Sequence, residues 1–187
     1  MPPRIKISRD EIINTALNIV RESGEQALNA RNIASALSCS TQPIFSNFEN
    51  MDELRLAVVE KADNIFEEYS SKIEAEGEFP DYKANGMAYI KFAREEKELF
   101  KLLYMRNRSG EPPVIHSRIN DKMENLVHKN TGLKGNDIKI FHFEMWAFVH
   151  GIATMFATNY LDLDMTLVSK MVTDTYRGLR KQYGMED

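Results

Sequence analysis

Polar side chains that can hydrogen-bond to the base edges of DNA lie close together near residue 44. Thr41, Gln42, Ser46 and Asn47 fall within seven consecutive residues. A glutamine amide matches N6 and N7 of adenine, and a threonine offers a base its hydroxyl or its methyl group. These four side chains are therefore candidates for contact with base edges. The alternative is that Thr41 only caps a helix and Gln42 only faces solvent.

Two short helices joined by a tight break are predicted around these side chains. Asn29 can cap the first helix, and residues 38–40 interrupt its apolar pattern. Ser40 or Thr41 can cap the second helix, and Pro43 lies in its first turn, where a missing N–H costs little. Such a pair is typical of a helix-turn-helix motif, whose second helix enters the major groove of DNA.

A set of small and apolar residues, with one glutamate, extends this pattern through four helices predicted between residues 5 and 58. They are Ile12, Ala16, Leu17, Ser23, Gly24, Ile33, Ala34, Ser40, Ile44, Phe45, Phe48, Glu53 and Leu54. In this pattern the sequence resembles the TetR family of transcriptional repressors. Beyond residue 58 only length and helical layout agree with that family.

The resemblance implies that Thr41, Gln42 and Pro43 form the exposed start of the recognition helix. Phe45 stands where the family has a tyrosine that bonds a phosphate, so its ring is left to pack on the sugar-phosphate edge or on a thymine methyl group. Met51 stands where the family often has a phosphate-binding lysine, and these two departures predict a weaker salt dependence than is usual in the family. The residues expected to contact DNA are Arg4, Lys6, Arg31, Ser40, Thr41, Gln42, Pro43, Phe45, Ser46 and Asn47.

The charge of the chain is mildly acidic, with a formal net charge of −4 over 187 residues. Positive charge is concentrated at the start, where Arg4, Lys6 and Arg9 give +3 in nine residues. Arg4 and Lys6 could follow phosphates or the minor groove, or could belong to a solvated terminus. A net charge of −4 argues mildly against non-specific nucleic-acid binding.

Several classes of protein are disfavoured by composition. The single cysteine, Cys39, excludes an internal disulfide bond and fits a reducing cytoplasm. No run of 18 apolar residues predicts a membrane span, and no secretory signal opens the chain. Nucleophile-elbow, phosphate-cradle and metal-ligand patterns are absent, so we expect no enzyme, no cofactor and no metal site.

The expected fold is all-α, with about nine helices. A three-helix DNA-binding domain is expected at residues 1–50, and a helical domain for effector binding and dimerisation at residues 51–187. Helical periodicity after the first domain predicts segments at 51–74, 82–94, 96–107, 113–130, 137–160 and 165–183.

Helix 137–160 is apolar nearly all round, so it must be buried on more than one side. Together with helix 165–183 it suits a two-fold dimer interface, and the resemblance implies the same. A core helix within a monomer is the alternative. The interface residues expected are Trp146, Val149, Ile152, Phe156, Val168, Met171 and Tyr176.

Methionine and aromatic residues concentrate between residues 87 and 156. The resemblance implies a ligand cavity here, and such side chains can line an adaptable apolar pocket or simply form core. His150 could bond a polar ligand atom, sense pH or be satisfied internally. The residues expected to line the pocket are Tyr69, Tyr89, Phe100, Tyr104, Met123, Met145 and Phe148.

The function expected from the sequence is a ligand-responsive, DNA-binding transcriptional regulator. It would repress as a cytoplasmic homodimer on a near-palindromic operator and be released by a small, mostly apolar effector. The alternative is a helical adaptor that binds another protein through helix 137–160.

Overall fold

The computed structural model describes residues 7–108 and 121–185, and these residues form helices and connecting turns without a β-strand. The α-helices are α1 (Arg9–Ser23), α2 (Ala30–Ala36), α3 (Gln42–Asn47), α4 (Met51–Glu76), α5 (Asp81–Glu95), α6 (Lys97–Tyr104), α7 (Asp121–Thr131), α8 (Asn136–Ala157) and α9 (Met165–Gln182). A single 3₁₀ turn, Glu25–Ala27, lies between α1 and α2. The expected all-α class is confirmed. The predicted helix start at residues 113–120 lies outside the described residues.

Side-chain caps fix the beginnings of several helices. Asn29 accepts a hydrogen bond from Asn32 N at 3.0 Å and caps α2. Asn50 accepts from Asp52 N and Glu53 N and caps α4 in the same way. Each cap satisfies backbone N–H groups that have no partner inside the helix. The predicted cap at Asn29 is therefore confirmed.

Helix α3 begins without a side-chain cap, so the predicted cap at Ser40 or Thr41 is wrong. Thr41 precedes the helix in α-helical geometry, with φ −71° and ψ −11°, and its side chain makes no capping bond. A capping side chain needs extended backbone and accepts from the second or third helical N–H. The second helical residue is Pro43, which has no N–H, and the third, Ile44, donates to the Thr41 carbonyl at 3.1 Å.

Two compact units divide the chain. The first contains the residues up to Glu68 together with Glu96–Arg106, and the second contains Tyr69–Glu95 together with the residues from Asn107 onward. The boundary between the units therefore falls inside α4. The functional division expected at residue 50 stays a prediction.

The core of the first unit forms where α1 packs against α2, α3 and α6. Ile12, Ile33, Ile44 and Leu54 are fully buried there, one from each of the first four helices. Burying a side chain of this size stabilises a fold by about 1.5–3 kcal/mol. This core stabilises the two short helices α2 and α3. With seven and six residues, neither would be stable as an isolated helix.

Helix α8 is the central element of the second unit and packs against α5, α7 and α9. Its contact with α5 is close because Gly86 has no side chain there, and a Cβ at that position would lie 3.5 Å from Val149. Within the described part of the chain, α8 alone is long and apolar enough to cross a membrane. Nine of its residues, including Phe141 and Met145, are nevertheless buried inside the unit. This pattern is that of a core helix.

Candidate functional site

Helix α3 presents one exposed face and buries the other. Ile44 and Phe48 are buried against the first unit, at 0% and 2% exposure. Gln42, Phe45 and Ser46 are exposed on the opposite side, and the Phe45 ring retains 51% of its surface. Residues three and four apart share a helix face, so these three side chains form one continuous patch. We call this patch the reading face.

Two polar side chains of α3 are bonded to their own helix. Ser46 Oγ donates to the carbonyl oxygen of Gln42 at 2.8 Å. Asn47 Nδ2 donates to the carbonyl oxygen of Pro43, also at 2.8 Å. Each bond spans one helical turn and engages a donor that would otherwise face solvent. Gln42 is thus the polar side chain of the reading face with its amide pointing into solvent.

The turn between α2 and α3 depends on one residue in left-handed backbone geometry. Ser38 has φ +51°, a region that L-residues other than glycine seldom adopt. Its N–H donates to Ser35 O, and the following Cys39 N–H donates to Ala34 O at 2.9 Å. These bonds end α2 and turn the chain toward α3. The position of the reading face therefore rests on a locally strained residue.

Most arginines around α3 are engaged in ion pairs. Arg9 lies 3.2 Å from Glu53 and stacks over the Phe48 ring, with its guanidinium 4.5 Å from the ring centroid. Arg21 pairs with Glu96 at 2.9 Å. Their positive charges are therefore partly neutralised by carboxylates.

Two more arginines precede α5 among the described residues of this unit, Arg55 and Arg31. Arg55 contacts both Glu25 at 3.3 Å and Asp52 at 2.8 Å. Arg31, on α2, is exposed and forms no ion pair with any described residue. Among these four arginines, Arg31 is thus the one whose charge is not paired with a carboxylate of a described residue.

Glu53 links α1 to the segment that follows α3. Its carboxylate accepts from Glu49 N at 2.7 Å and from Arg9 at 3.2 Å. The Glu49 hydrogen bond, followed by the Arg9 contact, holds the pKa of Glu53 below its ordinary value. The carboxylate therefore stays ionised. It holds Glu49, just after α3, and Arg9 of α1 against α4.

The remaining residues expected at DNA are distributed as follows. Ser40 is exposed, and Thr41 and Pro43 are half-buried at the start of α3. Arg4 and Lys6 lie outside the described residues. The proposed contacts of all these residues with DNA stay predictions.

The residues expected to line an effector pocket fall in both units. Phe100 and Tyr104 lie in the first unit, where their ring centroids are 4.8 Å apart. In the second unit Met123 and Met145 are buried and Phe148 is half-buried. The pocket itself stays a prediction.

The two expected tyrosines of the second unit are both hydrogen-bonded. Tyr69 packs edge-on against Phe92 at 5.5 Å and donates to Glu95 at 2.8 Å. The Tyr89 hydroxyl group lies 2.9 Å from Nδ1 of His150. Both side chains combine an apolar ring with a polar end, as an adaptable binding surface needs.

His150 is one member of a three-ring cluster. The Trp146 ring stacks on the His150 ring with centroids 4.9 Å apart and planes 16° apart, while Tyr89 bonds the same imidazole. The Trp146 Nε1 group is buried, and no described residue accepts a hydrogen bond from it. An indole N–H without a partner among the described residues is a place where a bound molecule or a second subunit can supply the acceptor.

A second tyrosine–histidine pair was not anticipated from the sequence. The Tyr82 hydroxyl group lies 3.1 Å from Nδ1 of His142, two helical turns from the Tyr89–His150 pair. Burial lowers the pKa of His142. Burial, with a smaller contribution from Tyr176, raises the pKa of Tyr82. Both groups are therefore neutral at neutral pH. The sequence did contain a signal for these pairs. Tyr82 and Tyr89 recur on one helix, and His142 and His150 recur on another.

The residues expected at a dimer interface separate into two groups. Val149, Ile152, Phe156 and Val168 are buried within the chain and face its own core. The half-buried members are Trp146, Met171 and Tyr176. Only the second group retains surface that a partner could cover.

Additional apolar side chains of α8 and α9 are exposed next to that group. Ile140 and Phe143 on α8 and Leu167 on α9 retain 42%, 36% and 46% of their surface. Gly151 on α8 and Gly178 on α9 have open space where a Cβ would stand. An exposed apolar surface with glycine positions allows another helix to approach closely.

Comparison with solved structures identifies the fold. A TetR-like transcriptional regulator from Rhodococcus sp. RHA1 superposes with a TM-score of 0.69 at 15% identity, over 96% of this chain and 98% of that one. A TetR-family member from Streptomyces coelicolor A3 gives 0.64 at 15% identity, over 89% and 96%. The multidrug binding protein EbrR, complexed with imidazole, gives 0.62 at 17% identity, over 94% and 96%. The chain thus has the TetR-like fold. No protein-family model and no curated protein sequence matches it.

Proposed function

We propose that this chain is a transcriptional regulator that binds DNA through α3. The observation that carries the proposal is the reading face, on which Gln42, Phe45 and Ser46 are exposed at the end of a helix-turn-helix. The unit that holds it belongs to a TetR-like fold, and the solved neighbours of that fold include regulators of transcription. An exposed recognition helix of this kind enters the major groove of DNA.

The regulator acts as a homodimer on a near-palindromic operator in the cytoplasm. Each subunit would place α3 in one half-site, with half-sites about 34–36 Å apart or at a multiple of that distance. The exposed residues Ile140, Phe143 and Leu167, with half-buried Trp146, support a two-fold interface formed by α8 and α9. Burying this surface against an identical copy would form a four-helix bundle.

A small, mostly apolar effector would release the repressor from DNA. The aromatic and methionine side chains that line the interior of the second unit, such as Tyr89 and Met145, support such a ligand. Helix α4 carries residues of both units on one continuous helix, Met51–Glu76, and is the element through which binding would be transmitted. A coupling free energy of about 1–3 kcal/mol is usual for such regulation.

The test is selection of DNA from a random duplex library by the purified full-length chain, followed by fluorescence-anisotropy titration of the selected duplex. We expect tight, sequence-selective binding with two chains per duplex. Gln42→Ala should weaken binding about tenfold or more, because one good bidentate base contact is worth about 1–3 kcal/mol. Asn18→Ala, at an exposed position of α1, is the matched control and should leave affinity unchanged. Failure to select any sequence would contradict the proposal.

A helical adaptor that binds another protein through α8 is the second candidate. The exposed side chains of Ile140 and Phe143 favour it, because a different protein can bind to the same apolar surface. The oligomeric state separates the two candidates. A monomer in solution that selects no DNA would favour the adaptor, whereas a dimer that selects DNA would exclude it as the main function.

A further inference from the structure

We propose that Phe45 determines part of the DNA sequence specificity by packing on the 5-methyl group of thymine. This inference rests on the proposed function and names the base feature that the reading face recognises. Thymine is the base that presents a methyl group in the major groove, and phenylalanine is among the side chains that contact it.

The exposure of Phe45 is the first observation behind the inference. The ring retains 51% of its surface although Ile44 and Phe48, on either side of it, are buried. Burying an aromatic ring stabilises a fold, and the exposed half of the Phe45 ring does not contribute that stabilisation. The core of the first unit therefore does not account for a phenylalanine at this position, whereas an apolar contact outside the chain does.

The position of Phe45 on the helix decides between the base edge and the sugar-phosphate edge. Phe45 follows Gln42 by three residues and Ser46 follows it by four. All three side chains therefore share the reading face. A glutamine amide that bonds adenine must point into the groove. Phe45 lies on the same face of α3, so its ring is directed toward the base edges as well. We therefore expect a thymine within the part of each half-site that α3 contacts.

The charges around α3 also favour an apolar contact. Arg9 pairs with Glu53, and Arg21 pairs with Glu96. Arg55 pairs with Glu25 and Asp52. Cations that are already paired contribute less to phosphate binding. Arg31 is the exception, since it is exposed without an ion pair to a described residue. A phosphate contact carries no direct sequence information, however, so discrimination between sequences depends on the reading face.

The experiment replaces each thymine of the selected duplex by uracil, one at a time, and measures the dissociation constant by anisotropy. Uracil keeps the hydrogen-bonding groups and removes only the methyl group. With the unaltered chain we expect one thymine per half-site whose replacement weakens binding about three- to tenfold, since a buried methyl group is worth about 0.8 kcal/mol or more. With Phe45→Ala that replacement should have no effect.

Two further variants make the result specific. Phe45→Tyr keeps the ring and should keep the uracil penalty. Leu56→Ala removes a somewhat more exposed apolar side chain outside α3, at 58% exposure, and should also keep the penalty. If no thymine is sensitive, or if Phe45→Ala keeps the same penalty, the inference is overturned while DNA binding stands. If the library yields no selected sequence, the proposed function fails and the inference fails with it.

Discussion

The Tyr82 hydroxyl group lies 3.1 Å from Nδ1 of His142, and this hydrogen bond joins α5 to α8 inside the second unit. Burial lowers the pKa of His142 below its ordinary value of 6.5. The unfolded chain, in which the pKa is ordinary, therefore binds more protons than the folded chain between the two pKa values. The contribution to stability is complete above about pH 6.5 and is lost as pH falls from there toward the folded pKa.

We therefore expect the free energy of unfolding to decrease as the pH is lowered from about 7.5 to 5. Urea denaturation followed by circular dichroism at several pH values measures it. His142→Gln should remove this part of the pH dependence, and His128→Gln, at an exposed position of α7, should leave it. An unchanged pH profile in the His142 variant would show that the buried imidazole is not responsible.

The Tyr–His pairs illustrate what the sequence could and could not predict. Tyr82 and Tyr89 are seven residues apart and His142 and His150 are eight apart, so each set repeats after about two helical turns. That periodicity is visible in the sequence. The pairing of α5 with α8 is not, because residues separated by about sixty positions meet only through the packing of the whole unit. Local sequence patterns determine where helices form, whereas packing determines which helices hydrogen-bond to each other through their side chains.

The second prediction concerns the turn between α2 and α3. Ser38 adopts φ +51°, which costs a non-glycine residue about 1–2 kcal/mol. Ser38→Gly should raise the free energy of unfolding by about 0.5–1 kcal/mol, since the greater entropy of unfolded glycine offsets part of the gain. Asn159→Gly is the matched control at φ +56°, and it should gain less because asparagine tolerates this geometry. Thermal unfolding of the two variants compares them, and equal gains would refute the assignment of strain to Ser38.

The helix starts show a second limit of local reasoning. Asn29 caps α2 as predicted because the cap needs only its own side chain and the next turn. The start of α3 differs because Pro43 removes one of the N–H groups that a cap would bond, and the Thr41 backbone is already helical. The effect of Pro43 on its first turn was foreseen, but not its effect on the cap. The predicted second helix of the helix-turn-helix is confirmed as α3, and its contacts with DNA stay a prediction.

The third prediction compares two leucines of α4 that lie two residues apart. Leu54 is fully buried in the first unit and Leu56 is 58% exposed. Leu54→Ala should lower the free energy of unfolding by about 2–5 kcal/mol through lost burial and the cavity left behind. Leu56→Ala should change it by less than about 0.5 kcal/mol. Urea denaturation of both variants gives the comparison, and similar losses would mean that the packing of α4 differs from that described.

The fourth prediction concerns the salt dependence of DNA binding. Arg31 is exposed without an ion pair among the described residues, whereas Arg9 is paired with Glu53 and stacked on Phe48. On the selected duplex, Arg31→Ala should reduce the slope of log affinity against log salt by about 0.9, the value for one phosphate contact. Arg9→Ala should change the slope less. Anisotropy titrations across a salt series measure both slopes, and a larger change for Arg9 than for Arg31 would reverse the assignment.

The fifth prediction concerns the proposed dimer interface on α8. A Cβ added at Gly151 meets no atom within 4 Å, so a side chain at this position begins in open space rather than against the core of its own chain. A leucine in a helix is also favoured over glycine by about 0.5–1 kcal/mol, so Gly151→Leu should fold normally. Across a close helix crossing, however, that leucine would occupy the space of the second subunit. We therefore expect sedimentation equilibrium to give a dimer for the unaltered chain and a monomer for Gly151→Leu.

The matched control is Asn125→Leu, which adds the same side chain at an exposed position of α7 and should remain dimeric. Because a dimer is needed to span two half-sites, Gly151→Leu should also lose most of its affinity for the selected duplex, while its affinity for a single half-site is retained. A dimeric Gly151→Leu variant would move the interface away from this face of α8. A monomeric variant with full operator affinity would instead separate DNA binding from dimerisation.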